Sequence, residues 1–167
     1  ARGFGDRCGD IDPYIIFYLV ESCGMTLDEV KDMLQTKSGL YGMSGGAGRD
    51  LRDVQAAAEA GNEDAELALR AYCYSIKKYI GSYAAAMGGL DAIVFGGGIG
   101  LGSALVRAWS LEGLEFLGVK LDGFKNRMAI AGMDLSMDDA PVRVFAVHTD
   151  EEIIVARKAA ALLTNAQ

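Results

Sequence analysis

The sequence has 167 residues, 51% of them apolar, and a formal net charge of −7, which suits one domain able to bury a core. No run approaches the roughly 18 apolar residues of a membrane helix, and no basic run supplies the positive field that nucleic-acid binding draws on. Neither a membrane nor a nucleic acid is therefore an expected partner. Cys8, Cys23 and Cys73 are odd in number, widely spaced and without a C-x-x-C pair, which argues against a disulfide framework and a structural zinc site. Residues 1–6 lack the apolar core of a signal peptide, so the chain is expected to be cytoplasmic.

In chain order, Asp12-Pro13 predicts a helix start, because Asp accepts from free N–H groups and Pro is tolerated at the first helical position. This helix is expected to reach Cys23, with Gly24 past its end. Thr26 and Glu29 have the T-x-x-E spacing of a capping box, followed by an apolar stripe at Val30, Met33 and Leu34, which predicts a second helix. Ser38 to Gly48 holds five glycines and no sustained period and reads as a loop. A third helix is expected over Asp50–Ala60 and a long fourth over Glu63–Met87, ended by Gly88-Gly89.

The period then changes. Ala92-Ile93-Val94-Phe95 is a short apolar run followed by Gly96-Gly97-Gly98-Ile99-Gly100-Leu101-Gly102, a strand and an exposed glycine turn leading into a helix through Leu105, Val106, Trp109 and Leu111. A short strand over Val119–Leu121, a clear one over Val142–Val147 and a last helix from Glu151 to Leu163 complete an α/β chain with a helix-rich first half.

Glycines at a strand end let backbone N–H groups approach a phosphate, so the glycine turn is the strongest chemical signal. It is no P-loop, since Ser103 stands where Lys is required. The dinucleotide fingerprint fails on spacing, although Asp122 lies at about the distance of its ribose-binding acid; an oxidoreductase reading rests only on the strand, glycine turn and helix. Read without a ligand, the glycines serve only a tight turn. Arg7, with Asp10 and Asp12 nearby, can stabilise phosphoryl oxygens, or simply pair on the surface. Asp50 and Arg52 open a helix and read either as a nucleotide contact or as an ordinary cap. Thr149-Asp150-Glu151-Glu152 puts acids after a strand, where Mg²⁺ can be held or a helix dipole complemented. His148, the one histidine, is left without a role.

These segments together carry a resemblance. R-C-G-D-I-D-P (Arg7–Pro13), S-G-L-Y-G-M-S-G (Ser38–Gly45), D-L-R-D (Asp50–Asp53), K-Y-I-G-S-Y-A-A-A-M-G-G-L-D-A-I-V-F (Lys78–Phe95), G-L-E-F-L-G (Gly113–Gly118) and T-D-E-E (Thr149–Glu152) resemble, in order, the motifs of the C-terminal part of acetate kinases. The resemblance covers almost the whole chain. It implies a partial ribonuclease H-like, actin-type ATPase fold in a single domain, and exchange of a phosphoryl group between ATP and acetate or a related short carboxylate, giving ADP and acetyl phosphate with Mg²⁺.

By the same resemblance, Arg7 matches the arginine that stabilises the transferring phosphoryl group, and Glu151 the acid associated with Mg²⁺. Asp50, Leu51 and Arg52 match one nucleotide-binding segment, and Gly98, Ile99, Gly100, Leu101 and Gly102 the other. Two departures stand out: the family's F-T-A-G-I-G-E-N-S reads here Phe95-Gly96-Gly97-Gly98-Ile99-Gly100-Leu101-Gly102-Ser103, and its G-T-R reads Gly5-Asp6-Arg7. Family chains are more than twice as long, and their N-terminal part carries the phosphate loop and acetate pocket. The resemblance therefore implies a chain impaired or inactive alone, which pairs as a homodimer or with the missing N-terminal half. The alternative is a nucleotide-binding or structural module of the same fold without catalysis.

Overall fold

The computed structural model describes residues 5–150 and 152–164. Its first half is a stack of helices whose starts follow the caps written in the sequence. Helix α1 (Tyr14–Glu21) begins after Pro13, and the Asp12 carboxylate accepts from the Tyr14 N–H at 2.9 Å. It ends two residues short of the expected Cys23, where Ser22 and Cys23 close the turn onto the Tyr18 carbonyl. Helix α2 (Leu27–Thr36) has the full capping box: Thr26 accepts from Glu29 N, and the Glu29 side chain accepts in return from Thr26 N.

The segment expected as a loop contains a single helical turn, α3 (Gly39–Met43), held by packing, since Leu40 is buried against the helix that follows. Helix α4 (Leu51–Glu59) starts from Asp50, and α5 (Glu63–Met87) runs uninterrupted through Gly81 to a left-handed Gly88. An amphipathic helix buries its apolar face and leaves the other to solvent; Gly81 lies where an added Cβ would meet nothing, so it does not break the helix. Leu51, Val54, Ala65, Leu69 and Cys73 form the first core.

The second half is built around a three-stranded sheet. Strand β1 (Ala92–Phe95) is followed by α6 (Gly97–Gly102), α7 (Ala104–Leu111), a 3₁₀ turn (Glu115–Leu117), α8 (Gly123–Arg127), β2 (Met133–Asp134), β3 (Arg143–Ala146) and α9 (Glu152–Thr164). The strand order is β1-β3-β2. β3 pairs parallel with β1, Ala92 opposite Arg143, and antiparallel with β2, Met133 opposite Ala146. Val144 and Ala146 of the central strand, with Leu111, Leu135 and Val142, form the second core.

Two expectations change here. Val119 and Leu121 make only isolated bridges, to Val142 and Ser136, because the intervening stretch crosses from one neighbour to the other. The glycine segment expected as an open turn is helical, although it is not continuous with α7: Ser103 between them is extended (φ −107°, ψ 103°). Among the described residues no helix is long and apolar enough to cross a membrane.

Candidate functional site

The short helix α6 stands at the carboxyl end of β1, the end at which parallel α/β sheets receive ligands. At its start, Gly97 adopts φ +71°, a conformation open to glycine at no steric cost, and its N–H donates to Thr149 Oγ1 at 3.0 Å. In its middle, Gly100 is buried; a Cβ there would lie 3.0 Å from the Phe95 carbonyl carbon, so this glycine allows the helix to pack directly on β1. Gly98 and Gly102 are different, since a Cβ on either would meet open space.

That open space consists of two clefts, one on each side of α6. In the first, about 510 Å³, Asp50, Leu51, Arg52 and Gln55 of α4 face Gly98, Ile99, Gly102 and Ser103. In the second, about 730 Å³, Gly97, Gly98, Leu101 and Gly102 face His148, Thr149, Asp150 and Glu152. The fold thus joins the two separately read nucleotide segments across one cleft, and the acids after β3 across the other. Volumes of this size match small-molecule sites.

Asp50 works first as a cap, accepting from Arg52 N at 2.9 Å. Its carboxylate also takes the Arg52 guanidinium in a two-point contact, Nε to Oδ1 at 2.9 Å and Nη2 to Oδ2 at 2.7 Å. The side-chain bond from Arg52, followed by the backbone bond, lowers the Asp50 pKa to about 2. Asp50 is therefore ionised at neutral pH and holds Arg52 by Nε and Nη2; the Arg52 side chain is 87% exposed, and its Nη1 takes no part in that contact.

Of the remaining predicted residues, Leu51 is buried under the first cleft and Ile99 is exposed within it. Gly100 and Leu101 direct their carbonyls inward, to Arg107; Leu101 lines the second cleft, whereas Gly100 is buried and lines neither. Arg7 is exposed and is not among the residues lining either cleft. Its neighbour Asp6, the departure from the family pattern, lies against Arg49 at 3.5 Å, and the loop is tied down by Cys8 N to Leu34 O at 2.9 Å. Tyr79 of α5 donates to Asp10, fixing the far side of the Arg7 loop. Glu151 lies outside the described residues.

No group of three or more His, Cys, Asp and Glu among the described residues is placed to hold a metal ion. Mg²⁺ needs fewer: one or two carboxylates, completed by water and substrate phosphates. Asp150 and Glu152 in the second cleft fit that demand, with Asp150 Oδ1 accepting from Ile153 N at 3.1 Å. The oxidoreductase reading falls, because Asp122 caps α8, accepting from Phe124 N and Lys125 N, and α6 is not a dinucleotide turn.

Sequence reading missed Gln55 and Ser103, which bridge the floor of the first cleft at 3.4 Å, and the buried pair Arg107 and Asn126. Arg107 had a visible signal, a single charge inside the apolar run Leu105 to Trp109. Asn126 had none.

The model of the Acetokinase family matches residues 3–157. An acetate kinase of Geobacillus kaustophilus is 50% identical over 153 residues, covering 92% of this chain and 38% of the relative. The crystal structure of Porphyromonas gingivalis acetate kinase superposes with a TM-score of 0.86 at 38% identity, over 97% of this chain and 41% of that one. A propionate kinase of Francisella tularensis gives 0.82 at 32% identity, over 91% and 38%. The chain thus spans about 38% of the length of the relatives it matches, and it belongs to the acetokinase family, with its actin-type ATPase fold.

Proposed function

We propose that this chain acts as one domain supplying the nucleotide-binding part of a phosphotransferase that moves the γ-phosphoryl group of ATP to acetate or a related short carboxylate, reversibly. The observation that carries the reading is the first cleft, where the Asp50–Arg52 segment faces Gly98, Ile99 and Gly102. Backbone N–H groups and Arg52 offset the repulsion between a nucleotide and a chain of net charge −7. Arg7 stabilises the transferring phosphoryl oxygens, and Asp150, Glu151 and Glu152 would hold Mg²⁺. Mg²⁺ when bound neutralises developing charge. The reaction belongs in the cytoplasm, where ATP and ADP are supplied.

In-line transfer needs donor, acceptor and charge-stabilising groups held together, and Arg7 lines neither cleft. We therefore expect the 167-residue chain to bind nucleotide but form little acetyl phosphate unless it self-associates or meets the N-terminal portion that its longer relatives contain. The free side of β1 has no strand partner among the described residues, and Tyr14, Phe17, Ile154 and Leu163 are exposed. Open strand edges and apolar patches favour association. The second reading, a nucleotide-binding module without catalysis, is favoured by that same placement of Arg7.

The test is calorimetric titration with Mg·ADP, an acetyl phosphate assay and light scattering on the same preparation. Binding without turnover even after an N-terminal half is added supports the module, turnover on adding that half supports the kinase, and no binding rejects both.

A further inference from the structure

Gly97–Gly102 is helical against its own composition. Four of its six residues are glycine, the poorest helix former after proline, and Ser103 separates it from α7, so no longer helix extends into it. Something outside the segment imposes its shape, and the buried side chain beneath it is Arg107, 1% exposed.

A buried guanidinium is unfavourable unless its donors are satisfied. Here each of the three nitrogens has a partner and four of the five N–H donors are used, without any carboxylate. Nη1 donates to the carbonyls of Gly100 and Leu101, both at 2.7 Å. Nε donates to Asn126 Oδ1 and Nη2 to the Asn126 carbonyl, again at 2.7 Å. Asn126, itself 4% exposed, donates in turn to the Ala104 carbonyl at 2.8 Å.

The Gly100 and Leu101 carbonyls belong to the last turn of α6, where carbonyl oxygens have no partner within the helix and carry its negative dipole end. A rigid planar fork reaches two such carbonyls and a second segment at once; an ammonium on a flexible stem does not. A residue needed only to fill the space beneath α6 would be apolar.

We propose that Arg107, braced by Asn126, is a positioning residue: its buried guanidinium clamps the end of the glycine helix to α8 and so holds Gly98 and Gly102 facing the two clefts. The structural half of this inference stands on its own, and its consequence for nucleotide affinity rests on the reading of the clefts given above. The arrangement explains how a segment with four glycines in six residues keeps a defined backbone.

Arg107→Ala removes the fork and leaves space for a free guanidinium ion. Hydrogen exchange of the amides from Gly98 to Ser103, with Ser103 N bonded to Ile99 O in the parent, should accelerate relative to those of α2, and affinity for a fluorescent ATP analogue should fall about tenfold or more. Guanidinium or methylguanidinium, far below denaturing concentrations, should restore both, while methylammonium should not. Unchanged exchange, unchanged affinity in a chain with faster exchange, or equal rescue by methylammonium overturns the proposal. If Arg107→Ala does not fold, Asn126→Ala, which withdraws one acceptor and the Ala104 tie, is read by the same exchange: faster from Gly98 to Ser103 supports the clamp and unchanged rejects it. A parent chain that does not bind the analogue rejects the nucleotide reading, and the exchange measurements still decide the clamp.

Discussion

The helical first half and the sheet-centred second half solve the same problem in different ways. In the first, four of the five helix starts are closed by a residue two or three positions away: Asp12, Thr26, Asp50 and Asn62 accept from Tyr14, Glu29, Arg52 and Ala65. In the second, polar groups reach across the chain: Arg107 to Asn126, Arg143 to Asp134, and Ser136 Oγ accepting from Val144 N at 2.6 Å. Local caps form as soon as their helix does, whereas cross-chain bonds need both segments in place. The candidate site sits where the two halves meet, with α4 from one and α6 from the other, so its geometry inherits the second kind of dependence.

The largest expected effects test whether the halves are one cooperative unit. Leu69 and Leu135 are both fully buried, one in each core, and truncating either to Ala should cost about 2–5 kcal/mol. Because α7 contributes Val106 to the first core and Leu111 to the second, both substitutions should lower a single denaturant midpoint. Two separable transitions, each moved by only one substitution, would break the comparison into independent domains.

Smaller effects should sharpen it. The Asp134 carboxylate accepts from Arg143 Nε at 2.8 Å and Ser136 N at 2.9 Å, with the pair about one-third exposed. Asp134→Ala should cost about 1–2 kcal/mol after allowance for that exposure, and the loss should extend to β2 and the second core. Asn62→Ala, removing the 3.0 Å cap on Ala65 N, should cost about 1 kcal/mol and loosen only the start of α5. Amide exchange on both variants checks the contrast; an equally local effect at Asp134 would contradict it.

The smallest effect is a titration. The folded Asp50 pKa lies below its ordinary 3.8, at about 2, chiefly through the Arg52 side chain. A depressed acid stabilises the fold in full above its unfolded value and loses that contribution as pH falls through the folded one. The start of α4 should therefore keep its protection at pH 5 and fray between about 4 and about 2, followed by the Asp50 carboxyl carbon and the Arg52 amide in NMR. Titration of Asp50 at its ordinary value would mean that Arg52 is not held in solution and already points into the cleft.

By itself the sequence determined the elements whose instructions are local. The capping box at Thr26, the Asp50 start, the span Glu63–Met87 with its left-handed Gly88, and the strand Ala92–Phe95 all follow from neighbours within four residues. The sequence motifs also named the two segments that meet at the first cleft. Only the tertiary structure decided the rest. Leu40 buries a turn that composition reads as loop, and Val119 and Leu121 are split between two partners. The glycine segment packs on Phe95, is tied at its start to Thr149, 52 residues on, and is held at its end by Arg107. Glycine restricts its own backbone least of all residues, so its conformation is written in whatever packs against it, and that is settled only when the chain has folded.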